Sequence, residues 1–175
     1  MTFAQVRAFV FVTVLLIGGA LVIAVVIGKD SQRDPVAAAC PADWPRADMS
    51  LPAVRDITVA VFNGTRKAGA AATVAEEFRN RGFEVKPVRE PAKREKVAGV
   101  AVLRHGPDAV GAAHVVDAYF LGKAERVYDP GRRGTQIDVV VGEQFKSLAQ
   151  PTDVNIALAD MGHPKVPPQT CVREV

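Results

Sequence analysis

From Ala8 to Gly28 the chain carries no charged residue, and Arg7 and Lys29 bracket the run. Twenty-one residues at about 1.5 Å each reach roughly 32 Å, enough to cross the roughly 30 Å hydrocarbon core of a bilayer. A segment apolar on every face has no wet side, so a buried core helix in so short a chain fits it poorly. The apolar core of a secretory signal is shorter, about 7–15 residues, so the run reads as an uncleaved anchor. Ala37-Ala38-Ala39-Cys40 has the look of a lipoprotein cleavage site, but Lys29, Asp30, Arg33 and Asp34 separate it from the apolar run. The 175 residues then leave room for one further domain with a tether and tails. The expected layout is a cytoplasmic tail over 1–7, a transmembrane helix over 8–28, an extracytoplasmic spacer over 29–55, a domain over 56–146 and a surface tail over 147–175.

Charge does not orient the anchor. Arg7 and the amino terminus stand on one side, Lys29 and Arg33 on the other. The net charge of +3 is close to balance and makes a weak electrostatic footprint, so no nucleic-acid partner is expected. The two cysteines say more. Cys40 and Cys171 bracket everything beyond the anchor, and neither has histidine or cysteine companions at metal-ligand spacing. A pair that brackets a domain reads as a disulfide tying its ends together, which needs an oxidising compartment. The domain is therefore expected outside the cytoplasm, with no metal and no cofactor.

Lys29 to Leu51 is rich in Pro, Ala, Asp and Arg and reads as an extended spacer, with Trp44 and Met49 as apolar exceptions. The β-rich run from Ile57 to Phe62 ends at Asn63-Gly64, a first strand entering a turn. Ala71, Ala72, Ala75 and Phe78 recur at three and four, which predicts an amphipathic helix from Gly69 to Arg81. Gly82 sits where a left-handed cap belongs. Phe83–Val88 and Val97–Leu103 read as second and third strands around a charged loop. After Gly106-Pro107-Asp108 a second helix buries Ala109, Ala112, Ala113, Val116 and Phe120, and Gly122 ends it. Arg126–Tyr128 and Gln136–Gly142 read as the last strands. The remainder, from Phe145 on, shows no clear period.

The order β-α-β-β-α-β-β predicts an α+β two-layer sandwich. Two arrangements compete, a ferredoxin-like split β-α-β and a parallel Rossmann-like sheet. The short link between the second and third strands has no helix, which favours an antiparallel pair there and so the first arrangement.

Three stretches carry a resemblance. They are Val59-Ala60-Val61-Phe62-Asn63-Gly64-Thr65, Ala68-Gly69 opening an Ala-rich helix, and that helix's end at Arg81-Gly82-Phe83-Glu84-Val85. Leu103-Arg104-His105-Gly106-Pro107 and Asp129-Pro130-Gly131 before Val139-Val140-Val141-Gly142 are later landmarks in the same order. Over roughly Ile57 to Phe145 the chain resembles the C-terminal domain of LytR-type envelope proteins. In that family the domain often follows a catalytic LytR-CpsA-Psr domain that attaches wall polymers to peptidoglycan. Here the spacer leaves no room for it. The resemblance implies a stand-alone accessory domain, similar to actinobacterial envelope-integrity proteins. Lys67, and His105 where an aromatic is frequent, depart from the family's pattern.

Nothing in the sequence assembles a catalytic site. There is no Gly-x-Ser-x-Gly elbow, phosphate loop or dinucleotide fingerprint, and His105, His114 and His163 lack metal-ligand companions. Asp108, Asp117 and Asp129 could pair as acid and base, but nothing marks them out from solvated charges. Binding is the stronger expectation. The first strand's exit and the charged loop are expected at one edge, bringing Asn63, Gly64, Thr65, Arg66 and Lys67 near Lys93, Arg94 and Lys96. Free amides at the first helix's N-terminus add positive potential, so an anionic envelope polymer or lipid headgroup could dock there. Arg104, His105, Arg132 and Arg133 would form a second patch at the opposite edge. The expected role is a membrane-tethered, non-enzymatic domain supporting envelope integrity by contacting wall polymer, lipid or an envelope-biogenesis protein. The rival is an accessory subunit or latent enzyme of wall-polymer attachment.

Overall fold

The computed structural model describes residues 40–87 and 96–174. The expected cytoplasmic tail, the transmembrane helix, the spacer before Cys40 and the loop bearing Lys93 and Arg94 lie outside the described residues. Among the described residues no helix is long and apolar enough to cross a membrane. Contacts divide the chain after Pro41, and Ala42–Val175 forms one compact unit.

That unit is a mixed α/β fold with three described helices. In chain order the elements are β1 (Arg46–Ala47), β2 (Thr58–Asn63), α1 (Ala70–Asn80), β3 (Glu84–Lys86), β4 (Ala101–His105), α2 (Val110–Ala118), β5 (Glu125–Tyr128), β6 (Ile137–Val141), α3 (Pro151–Met161) and β7 (Cys171–Val172). From β2 to β6 the element order follows the sequence reading. β1, α3 and β7 add to it.

The local chemistry explains the boundaries. α1 buries Ala71, Val74, Ala75 and Phe78 at three-and-four spacing. It ends in a double cap: the Phe83 N–H donates to the Phe78 carbonyl at 3.1 Å, and Gly82 takes φ 89°. The rings of Phe78 and Phe83 close that turn edge to face at 4.9 Å. α2 is buried along its whole length, from Val110 to Ala118. A 3₁₀ turn over Pro107–Ala109 leads into it. α3 starts on Pro151, ends before Gly162 and buries Val154 and Ala157.

The sheet corrects the expected topology. Its strand order is β3-β2-β6-β4-β5. β2 pairs parallel with both β3 and β6, β4 pairs parallel with β5, and β4 runs antiparallel to β6. The expected antiparallel pairing of the second and third strands is absent, so the sheet is neither a ferredoxin-like split β-α-β nor all-parallel. β6 decides this. Ile137, Val139, Val140 and Val141 are buried, so β6 needs a neighbour on each side and enters the centre of the sheet. β2 and β6 then stand between β3 and β4. Three strand spacings are only about 14 Å.

Two β-α-β units therefore lie on either side of β6 and head in opposite directions. Crossovers of one hand place both helices on the same face. Val59 and Val61 of β2, Leu103 of β4 and Val139 of β6 accordingly share one core cluster with α1, α2 and α3. On the other face Val97, Val102 and Val140 form a small cluster with Phe62. A second, two-stranded sheet joins β1 to β7 in parallel, Arg46 opposite Cys171. Cys40 and Cys171 are disulfide-bonded, as the sequence led us to expect.

Candidate functional site

Asn63 ends β2 beside Val141, the end of β6. The chain leaves this edge through a turn that its own side chains build. Asn63 Oδ1 accepts from the Thr65 N–H at 2.9 Å and the Thr65 hydroxyl at 2.8 Å. Asn63 Nδ2 donates to the Lys67 carbonyl at 2.8 Å, and the Lys67 N–H donates to Thr65 Oγ1 at 3.0 Å. Asx-type closure of this kind ties a strand-to-helix turn to itself. Between these residues, the Gly64 N–H donates to the Val141 carbonyl and the Gly64 carbonyl accepts from the Val97 N–H, both at 2.9 Å. A Cβ on Gly64 would stand 2.6 Å from the Val141 oxygen, so only glycine lets the three backbones meet.

That junction brings exposed Lys96, next to Val97, to the edge that carries Asn63–Lys67. Lys93 and Arg94 lie outside the described residues. Arg66 is 85% exposed, with its Nε 3.9 Å from Glu143 and its N–H donating to Glu143 Oε1 at 2.9 Å. Lys67 lines a cavity of about 180 Å³ with Thr65, Thr73, Glu77, Glu143 and Lys146. The first turn of α1 opens beside it from Gly69, with no acidic residue and no side-chain cap. Its free N–H groups add positive potential.

The carboxylates there, and Lys146, escaped the sequence reading because they come from other elements. Glu143 follows β6. Glu77, one helical turn beyond Thr73, accepts from the Leu148 N–H at 2.9 Å. A second cavity, of about 680 Å³, adjoins the first and shares Glu143, Phe145 and Lys146 with it.

The second patch lies at the opposite edge, where β4 and β5 end, and two of its members are already engaged. Arg132 grips Asp138 through a fork of 2.8 and 2.7 Å. His105 is buried, its ring tilted against Tyr128 with centroids 5.7 Å apart. Burial holds its pKa below the ordinary imidazole range, and Arg126 and Arg132 add to that. Arg104 is half-buried, and Arg133 is exposed. The three candidate acid–base aspartates are separately engaged. Asp108 pairs with Arg173 and accepts from the Gly134 N–H at 3.2 Å, while Asp129 accepts from the Gly131 N–H at 2.9 Å.

Buried Asp117 belongs to a cluster, capped by the partly exposed Arg126, that the sequence did not reveal. It lies 3.5 Å from Arg126 Nε and accepts from the Ala124 N–H at 3.1 Å. Arg126 Nη1 donates to His114 Nδ1 at 3.2 Å, which leaves His114 Nε2 to donate to the Gly162 carbonyl at 2.9 Å. Burial lowers the His114 pKa and raises that of Asp117. The cluster ties α2 and β5 to the end of α3.

The family described as LytR cell envelope-related transcriptional attenuator matches residues 56–145, which hold the whole five-stranded sheet with α1 and α2. No curated protein matches. Among solved structures, the chain is similar to the soluble domain of a conserved hypothetical secreted protein from Mycobacterium marinum. The TM-score is 0.51 at 23% identity, over 70% of this chain and 83% of that one.

Proposed function

The chain belongs to the LytR C-terminal domain family, and from that membership we propose that its α/β unit is an extracytoplasmic, non-enzymatic module of the cell envelope. The uncharged run over Ala8–Gly28 anchors it as a single-pass membrane protein, and the module supports envelope integrity by binding wall polymer at the edge formed by Asn63–Lys67 and Lys96. The disulfide between Cys40 and Cys171 supports an oxidising location. The neighbour described as secreted agrees with it.

One observation carries the choice of edge. The carboxyl ends of the adjacent parallel strands β2 and β6 meet there beside an uncapped helix start, with Lys67 lining a cavity. Ligands of open α/β sheets favour that place, and backbone amides there attract negative charge. The opposite edge offers less, because Arg132 is committed to Asp138 and His105 is buried.

The test is retention of the full chain, in detergent, on purified cell-wall and lipid fractions across a salt series. Retention on the wall fraction is expected, weakening as salt rises and falling when Arg66, Lys67 and Lys96 are neutralised together. Retention that ignores all three residues would overturn the edge. If a chain with Asp108, Asp129 and His105 substituted failed to complement a deletion strain while still folding, the latent-enzyme rival would gain.

A further inference from the structure

The two adjoining cavities share a border, together forming a candidate groove whose walls select a ligand class. The smaller, at about 180 Å³, is below the roughly 300–1,000 Å³ of ordinary ligand sites, while the larger, at about 680 Å³, is within it. Glu143, Phe145 and Lys146 line both, so an occupant of both would cross these three residues between Lys67 and Lys123. An extended chain molecule fits such a shape better than a compact one.

The chemistry narrows the choice further. Tyr119, Phe120 and Leu148 are buried in the floor of the larger cavity. Exposed Lys123, Gln144, Lys146, Ser147 and Gln150 stand around it. Half-buried Phe145 and exposed Leu121 are apolar platforms among them. Leu121 takes φ 57°, a left-handed backbone uncommon for a residue with a side chain, and is 46% exposed in the cleft wall. An acyl chain would strip water from these amides, hydroxyls and charges without replacing their hydrogen bonds. A dense polyanion would meet Glu143 and Asp153 beside the lysines. A neutral glycan strand meets neither objection. Its hydroxyls donate and accept, which suits mixed Gln, Ser, Lys and Glu side chains, and its C–H faces pack on an aromatic ring.

We infer that this groove binds a neutral oligosaccharide strand, running from the β2–β6 edge across Phe145 to the end of α2. The inference rests on the reading of that edge as a wall-polymer site and names the part of the polymer that lies in the groove. The full chain in lipid nanodiscs is titrated calorimetrically with a pentamer of N-acetylglucosamine and, separately, a pentamer of glucose. The expected result is saturable binding of at least one, with little change between low and high salt. Gln144→Ala combined with Lys146→Ala weakens it by about tenfold, the scale set by losing one or two hydrogen bonds. Ser147→Ala with Gln150→Ala weakens it as well, and Arg55→Ala, away from both cavities, leaves it unchanged. A preference between the pentamers tells whether an acetamido group is read. Failure of both pentamers to bind, or equal binding by all variants, overturns the inference. If the pentamers fail while the wall fraction is still retained through Lys67, the glycan groove falls and the proposed edge stands. If neither binds, both fall.

Discussion

At the scale of single residues, contacts from distant segments reverse the usual preferences. Gly111 lies inside α2, where alanine ordinarily gains about 0.5–1 kcal/mol over glycine. Here a Cβ would stand 1.8 Å from the Ser50 carbonyl oxygen, because the segment after β1 lies against the helix and the Gly111 N–H donates to Asp48. Gly111→Ala is expected to lose about 1–3 kcal/mol, read by chemical denaturation. Arg126 offers a second case. Arg126→Ala leaves the buried Asp117 carboxylate without its partly exposed partner and is expected to lose about 1–2 kcal/mol, and adding Asp117→Asn recovers part of it.

Titration follows from the same burial. His105 and His114 both have pKa values lowered from 6.5, first by burial. The unfolded chain therefore binds protons that the folded chain refuses, and stability falls as pH drops below the ordinary histidine value. Asp117 works in the opposite sense, since its raised pKa favours the folded state in acid and weakens it as pH rises above 3.8. Unfolding midpoints at about pH 7 and about pH 5.5 are expected to show a loss in the native sequence and a smaller one in His105→Gln with His114→Gln.

At the scale of elements, α1 is held to the segment before α3 by its last residues. The Arg81 guanidinium donates to the carbonyls of Ala149 at 2.7 Å and Leu148 at 3.4 Å, while Glu77 accepts from the Leu148 N–H. These bonds fix one wall of the larger cavity. Arg81→Ala is expected to cost about 1–2 kcal/mol and to speed hydrogen exchange at Leu148 and Ala149. α3 itself was legible. Pro151 opens it, Gly162 follows it, and Val154, Ala157, Leu158 and Met161 repeat at three and four. The stripe spans only two turns, and Pro164, Pro167 and Pro168 interrupt any longer period in the tail. β1 and β7, two residues each, have no period to read.

At the scale of the whole molecule, the β1–β7 pair and the disulfide hold the two ends of the unit together. Arg173 adds to the closure by pairing with Asp48 at 3.6 Å and with Asp108. Closing a loop of roughly 130 residues stabilises by up to about 5 kcal/mol in the chain-entropy account. Reduction, or Cys171→Ser, is expected to lower the unfolding free energy by most of that amount, with a lower denaturation midpoint, while far-UV circular dichroism keeps its native form below the transition. A midpoint unmoved by reduction would mean that the bridge adds nothing to the closure.

By itself the sequence determined the local pieces: an uncharged run long enough for a bilayer, the order of strands and helices from β2 to β6, the Asn63-Gly64-Thr65 turn, and the cap at Gly82. Each is set by residues near one another in the chain, through periodicity, backbone freedom or side-chain bonds over two to four residues. The likeness to an envelope family rested on those same short motifs. Tertiary structure alone decided that β6 enters the middle of the sheet, because an apolar strand declares its need for neighbours without naming them. It also decided that Glu77, Glu143 and Lys146 join Lys67 around one groove, and that Arg132 and His105 are withdrawn from the opposite edge. Those groups come from segments far apart in sequence, and a burial pattern fixes which face a residue takes but not which distant residue it meets.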